Sequence, residues 1–163
     1  MIFVTVGTQL PFDRLLGAVD VWAEVHPGRR IVAQSGESGF VSDRLDIVAR
    51  LERKDFRQLA QEAAVIVSHA GMGTILTALE LCKPVIILPR RADLGEHRND
   101  HQHATAERLG GLANVRVIWD ESDLGPAMDA ALQGHALPLD QESMSPNRMQ
   151  LLQEVRSFIS DAA

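Results

Sequence analysis

The run Val65-Ile66-Val67-Ser68 passes directly into His69-Ala70-Gly71-Met72-Gly73-Thr74 and then into a helical segment reaching Glu80. Four residues of this kind read as a strand buried on both faces, which is the habit of parallel sheets covered by helices. The small-residue turn that follows opens a helix, and the first N–H groups of a helix have no partner within it. They form a natural seat for an anion, and a diphosphate suits that seat.

The same alternation recurs along the chain. Residues 2–6 and 31–34 read as strands, 44–49 as a further short strand, 64–68, 84–89 and 115–119 as the rest. Helical spacing marks residues 12–25 through Phe12, Leu15, Leu16, Val19 and Trp22, and marks 54–63, 74–82, 99–109 and 121–133. The expectation is an α/β chain: a Rossmann-like parallel sheet with helices on both faces. The loops at 7–11, 36–40, 69–73 and 89–98 all follow strands, so they share the carboxyl edge where such sheets bind ligands. Residues 1–133 form the predicted domain, 134–146 a linker containing Gly134, Pro138 and Pro146, and 147–163 a C-terminal amphipathic helix. Met149, Leu152, Val155 and Ile159 fall on one stripe of that helix, which packs either on its own sheet or on a second subunit.

Composition narrows the function. A net charge of −6 and 4% aromatics disfavour nucleic acid, which calls for a basic groove and stacking rings. The one cysteine, Cys82, excludes an internal disulfide and reads as core filler on an apolar helix face. No apolar run approaches the ~20 residues of a membrane span, and the start lacks a basic leader pattern, so the chain reads as cytoplasmic.

The 69–74 turn is neither a dinucleotide fingerprint, because Leu76 stands in the third glycine position, nor a P-loop, because no Lys-Ser/Thr pair follows. Gly71 and Gly73 let a phosphate approach the backbone and Thr74 adds a hydroxyl; the alternative is a tight corner with no ligand. Gly73, Thr77 and Glu80 share a helix face, with Glu80 about 10 Å along the axis from Gly73. A carboxylate there suits both hydroxyls of a ribose, the alternative being a solvated position. Arg90, Arg91 and Arg98 are candidates to neutralise phosphate charge. Asn99 and Gln102 are either ligand contacts or a capping pair at a helix start. His69 is either a general base or phosphate contact, or a histidine that hydrogen-bonds its own turn. His97, His101 and His103 lack the Cys or carboxylate partners that a metal site would need, so no metal is expected.

Val4-Thr5-Val6-Gly7-Thr8, then Ser68-His69-Ala70-Gly71-Met72-Gly73-Thr74 with Glu80, then Glu96-His97-x-Asn99-Asp100-His101-Gln102 occur in this order. Together they resemble the C-terminal, donor-binding domain of glycosyltransferase family 28, over roughly residues 1–112, and most of all its stand-alone short subunits. The resemblance implies one half of a GT-B fold and a uridine-diphosphate sugar as donor substrate, with no tightly bound cofactor. It places the diphosphate on Gly71, Met72, Gly73 and Thr74 and the ribose on Glu80. Gln102, with Asn99 or His101, would meet the sugar hydroxyls, while Gly7 and Thr8 line the cleft floor. His69 is the candidate base in this chain. The resemblance further implies transfer with inversion to a polyprenyl-diphosphate-linked acceptor in exopolysaccharide or glycan synthesis. A membrane-anchored partner subunit would bind that acceptor and hold this chain at the inner membrane face. A regulatory nucleotide-sugar-binding subunit and an epimerase-like protein are the alternatives.

Overall fold

Six strands form one parallel sheet in the order β3-β2-β1-β4-β5-β6. They are β1 (Ile2–Thr5), β2 (Ile31–Gln34), β3 (Asp46–Val48), β4 (Val65–Ser68), β5 (Val85–Ile87) and β6 (Val115–Val117). The helices are α1 (Asp13–Glu24), α2 (Arg53–Glu62), α3 (Met72–Glu80), α4 (His101–Leu109) and α5 (Leu124–Leu132). The computed structural model describes residues 1–98, 101–112 and 114–134. The expected linker beyond Gly134 and the expected helix at 147–163 lie outside the described residues, as does Asn99.

Two-sided burial explains the apolar strands. Alternate residues of β1 point to opposite faces. Ile2 and Val4 enter the core built with Leu15, Leu16 and Val19 of α1 and Leu124 and Met128 of α5. Phe3 enters the opposite core with Ala60 of α2, Ile75 and Ala78 of α3, and Ala106 of α4. Each fully buried Leu, Ile or Phe contributes about 1.5–3 kcal/mol. The strand–helix alternation has one exception: residues 35–45, between β2 and β3, contain no helix. The short β3 is consequently half-exposed at the sheet edge.

The strand order places the ligand edge. The chain starts in the middle at β1, builds outward to β3, then returns to β4 on the other side of β1. The loops leaving β1 and β4 therefore run to opposite sides, and a crevice opens between them. Crevices at this reversal are where open α/β sheets bind ligands.

The end of α3 corrects one expectation. Cys82 lies beyond the helix, only half-buried, with φ of 54°. The N–H of Cys82 donates to the Leu79 carbonyl at 3.2 Å and that of Lys83 to the Ala78 carbonyl at 2.8 Å. This is a Schellman ending with cysteine in the left-handed position that glycine normally holds. A side chain there is strained. Cys82→Gly is therefore expected to stabilise the protein by about 0.5–1 kcal/mol, read as a raised midpoint in urea or thermal unfolding.

Candidate functional site

The register aligns Thr5 with Gln34 on one side and with Ser68 on the other. These last strand residues share the face covered by α2, α3 and α4, so they make a polar row at the carboxyl edge. All three are at least 97% buried. The Thr5 hydroxyl donates to Gln34 Oε1 at 2.6 Å and accepts the Gly7 N–H at 3.3 Å. Above the row lies a crevice of about 740 Å3, lined by Gly7 and Thr8, by His69, Gly71, Gly73, Thr74 and Thr77, by Phe56 and Arg57 of α2, and by Gln102 of α4. That size suits a nucleotide-sized ligand.

Helix α3 begins at the crevice with Gly71 as N-cap and no side-chain cap. Its leading N–H groups and the positive end of its dipole are thus available to an anion. The two glycines divide the work. A Cβ on Gly73 would meet nothing within 4 Å, so this residue presents bare backbone to the crevice. A Cβ on Gly71 would fall 2.1 Å from His69 Nε2. Gly7, at φ of 82°, faces the same ring, with a Cβ position 2.8 Å from His69 Cε1. The imidazole is clasped between two glycines, and the absence of a side chain at Gly71 makes room for it.

Burial, together with the nearby Arg90 charge, pushes His69 down to about 4, against a weaker upward pull from the Thr5 backbone. The ring is neutral at neutral pH, so it meets an anion as a hydrogen-bonding group and not as a cation. Ser68 Oγ lies 3.3 Å from its Nδ1. Stability should follow the proton. Below the unfolded value of 6.5 the unfolded chain takes up a proton that the folded chain refuses until about pH 4. The contribution is complete above pH 6.5 and lost as pH falls to 4, amounting to at most about 3 kcal/mol. Urea unfolding of the wild type and of His69→Gln should diverge across that window. Parallel pH profiles would show that the histidine does not carry the effect.

Arg90, expected to neutralise phosphate charge, lines the crevice but directs its Nη donors to backbone carbonyls. It is 3% exposed. Its Nη2 donates to the carbonyls of Val6 and Leu10 at 2.7 Å each, and its Nη1 to those of Pro11 at 2.8 Å and Glu96 at 2.9 Å. The guanidinium also lies 4.7 Å above the Phe12 ring, a cation–π contact. Desolvation pulls its pKa down to about 10, which leaves it charged at neutral pH. Arg90 thereby ties the loop after β1 to the loop after β5. Glu96 strengthens the tie by gripping Arg14 of α1 with both oxygens, at 2.7 and 2.8 Å, while accepting the Arg91 N–H. The Arg91 side chain is engaged by Asp93 at 2.7 Å.

The structure brings together Gly7, Thr8, His69, Gly71, Gly73, Thr74 and Gln102 among the residues expected in the site. Met72 instead turns toward the core beneath α3. His101 is exposed at the start of α4 and does not line the crevice. Glu80 is absent from the lining too; its carboxylate lies 3.1 Å from Arg57 Nη1, and Arg57 lines the crevice. Thr77, one turn earlier, stands in the wall itself. Gln102 is buried, and its Oε1 accepts the backbone N–H groups of Ala70 at 3.2 Å and Arg90 at 3.1 Å. That fixes the amide orientation and leaves Nε2 as the end available to a ligand. His97 lines the crevice whereas His103 stacks on Trp119 at 4.4 Å, so the histidines of this segment do not converge.

The contribution of α2 was missed in the sequence. Arg53 and Arg57 stand one turn apart with Phe56 between them and line the crevice. Their i, i+4 spacing was visible, but nothing local tells which helix face overlooks the ligand edge. Gln34 likewise carries no local mark that sets it apart from an ordinary strand residue.

The signature of the glycosyltransferase family 28 C-terminal domain matches residues 1–155. The chain belongs to this family. The UDP-N-acetylglucosamine transferase subunit ALG13 of Eremothecium gossypii is 34% identical over 82 residues, covering 50% of this chain and 38% of that protein. The chain thus matches well under half the length of that curated relative. Among solved structures, the glycotransferase of kitacinnamycin superposes with a TM-score of 0.60 at 23% identity, covering 96% of this chain and 39% of that one. The solution structure of ALG13 gives 0.59 at 19% identity and covers 85% of this chain and 88% of that chain. At these identities the superpositions speak for the fold, which is the Rossmann-like half of a GT-B architecture.

Proposed function

We propose that this chain is the donor-binding, catalytic subunit of a two-component glycosyltransferase that uses a uridine-diphosphate sugar. The observation that carries the reading is the uncapped start of α3 at the sheet's reversal point, with Gly73 presenting bare backbone to a crevice of nucleotide size. The family membership and the ALG13 relative, named as a UDP-N-acetylglucosamine transferase subunit, point the same way.

In this reading the diphosphate rests on the N–H groups at Gly73 and Thr74. The ribose lies against Thr77 and the Arg57–Glu80 pair, so Glu80 acts from the rim. Gln102 Nε2 donates to a sugar hydroxyl, with Asn99 as the second candidate for that end. The acceptor oxygen attacks the anomeric carbon as the bond to the diphosphate breaks, which inverts the centre. The helix dipole stabilises the departing negative charge. The acceptor hydroxyl gives up its proton to a base. His69 is the candidate in this chain, since a bound diphosphate raises its low pKa toward a useful range; the partner is the other source. The acceptor is a polyprenyl-diphosphate-linked glycan in exopolysaccharide or glycan synthesis. A membrane-anchored subunit presents it and keeps this chain at the cytoplasmic membrane face. No described helix is long and apolar enough to cross a membrane itself, and the amphipathic segment at 147–163 is the part proposed to contact that subunit.

The test is titration of the purified chain with UDP and UDP-sugars, followed by transfer of labelled sugar to lipid in membranes carrying the partner. Loss of transfer with Gln102→Ala or Glu80→Ala is the expected result. Undiminished transfer with both changes would remove catalysis from this chain.

A further inference from the structure

Gln34 ends β2 on the crevice floor and is 3% exposed. Its amide can be oriented from hydrogen bonds alone. The Thr5 oxygen already accepts the Gly7 N–H, and the single Thr5 hydroxyl proton goes to Gln34 Oε1. With that bond made, the oxygen faces Thr5 and Nε2 faces away. Among the described residues, no acceptor takes the Nε2 hydrogens. Among the described residues, no buried side-chain nitrogen or oxygen lacks a partner. The Nε2 atom is therefore open to the crevice: a donor held in place on a rigid strand and aimed at whatever binds there.

Its place along the ligand follows from the sheet. Gln34 is two strands from Ser68 in register, about 10 Å at the usual strand spacing. A diphosphate seated on α3, which follows Ser68, leaves the nucleoside to extend across β1 toward β2. There Leu51 and Phe56 supply apolar sides for a flat ring. We propose that Gln34 Nε2 donates a hydrogen bond to the O4 carbonyl of a uracil base, making Gln34 the residue that separates uracil from cytosine. Cytosine carries an amino group at that position, and two donors would face each other. This rests on the nucleotide reading above and adds the base-selecting contact to it.

Gln34→Glu tests it. The substitution keeps shape and the Thr5 bond but turns the crevice-facing donor into an acceptor. Calorimetric titration at pH 8 should show the wild type preferring UDP to CDP by about tenfold or more, the worth of one buried hydrogen bond and its unmade alternative. Gln34→Glu should lose UDP affinity by at least about tenfold and shift the preference to CDP. An unchanged UDP/CDP ratio in a variant with wild-type thermal stability would overturn the inference. Should the variant not fold, the wild type decides: the Gln34 side-chain amide resonances should move on adding uridine or UDP and stay still with pyrophosphate. Resonances silent to both nucleosides overturn the assignment of Gln34 alone. Failure of the wild type to bind UDP at all overturns the nucleotide reading itself.

Discussion

Arg90→Met is expected to lower stability by about 3–5 kcal/mol. The guanidinium is buried and donates to four backbone carbonyls, those of Val6, Leu10, Pro11 and Glu96. Methionine fills much of the space but donates nothing, and each unmade buried bond costs about 1–3 kcal/mol before relaxation. Partial rehydration of the loops brings the sum down to the stated range. The damage is directional, since the carbonyls belong to the two loops that border the crevice. Arg90→Lys should recover only part of the loss, because one ammonium offers three donors from a single point and cannot span the four acceptors. Denaturant unfolding measures the loss, and UDP titration of the residual folded protein should show weakened binding. A destabilisation below about 1 kcal/mol would mean that the carbonyls find water readily.

The second large effect separates two neighbouring glycines. Gly73→Ala should leave thermal stability unchanged or slightly raised, because the new Cβ meets nothing and alanine favours helix by up to ~1 kcal/mol. It should nonetheless weaken UDP binding by about 30–100-fold, or 2–3 kcal/mol, by placing a methyl group where a phosphate must touch backbone. Gly71→Ala should behave in the opposite way. Its Cβ falls 2.1 Å from His69 Nε2, so the ring must leave its place. The backbone at Gly71, with φ of −86°, accepts alanine without strain, so the whole cost comes from that collision. Overpacking of this kind costs about 1–3 kcal/mol. Combining it with His69→Ala should abolish the added cost, a coupling that thermal unfolding of the four proteins reads directly. Equal UDP affinity for Gly73→Ala and wild type would remove the diphosphate from this turn.

Much of the fold was legible in the residues. Runs such as Val65–Ser68 and Val85–Ile87, buried on both faces, require a covered parallel sheet, and the periodic segments between them supply the cover. Helix boundaries moved by up to three residues: α3 starts at Met72 and stops before Cys82, and α5 starts at Leu124, after a single 3-10 turn at Glu121–Asp123. Cys82 looks helical in sequence because apolar spacing continues past the point where the backbone turns left-handed; the Schellman bonds that end the helix are invisible in a pattern of side chains.

For the site, the glycine turn, the carboxyl-edge loops and Gln102 were visible because motif and chain order mark them. Arg90 marks a limit of local pattern: a charged residue beside a ligand loop looks the same in sequence whether its donors face phosphate or carbonyl oxygens. Glu80 shares a face with Gly73 in helical projection, yet its carboxylate meets Arg57, from a different helix, outside the crevice lining. The sequence by itself determined the layered parallel sheet, the glycine turn that opens α3 and the family. Only the tertiary structure decided that Gly71 makes room for His69 while Gly73 opens to the crevice, that Arg90 ties two loops together, and that Gln34 lends a donor to the floor. Periodicity and helix ends are properties of neighbouring residues. Which donor meets which acceptor across strands β1, β2, β4 and β5 depends on a strand order that no local pattern encodes.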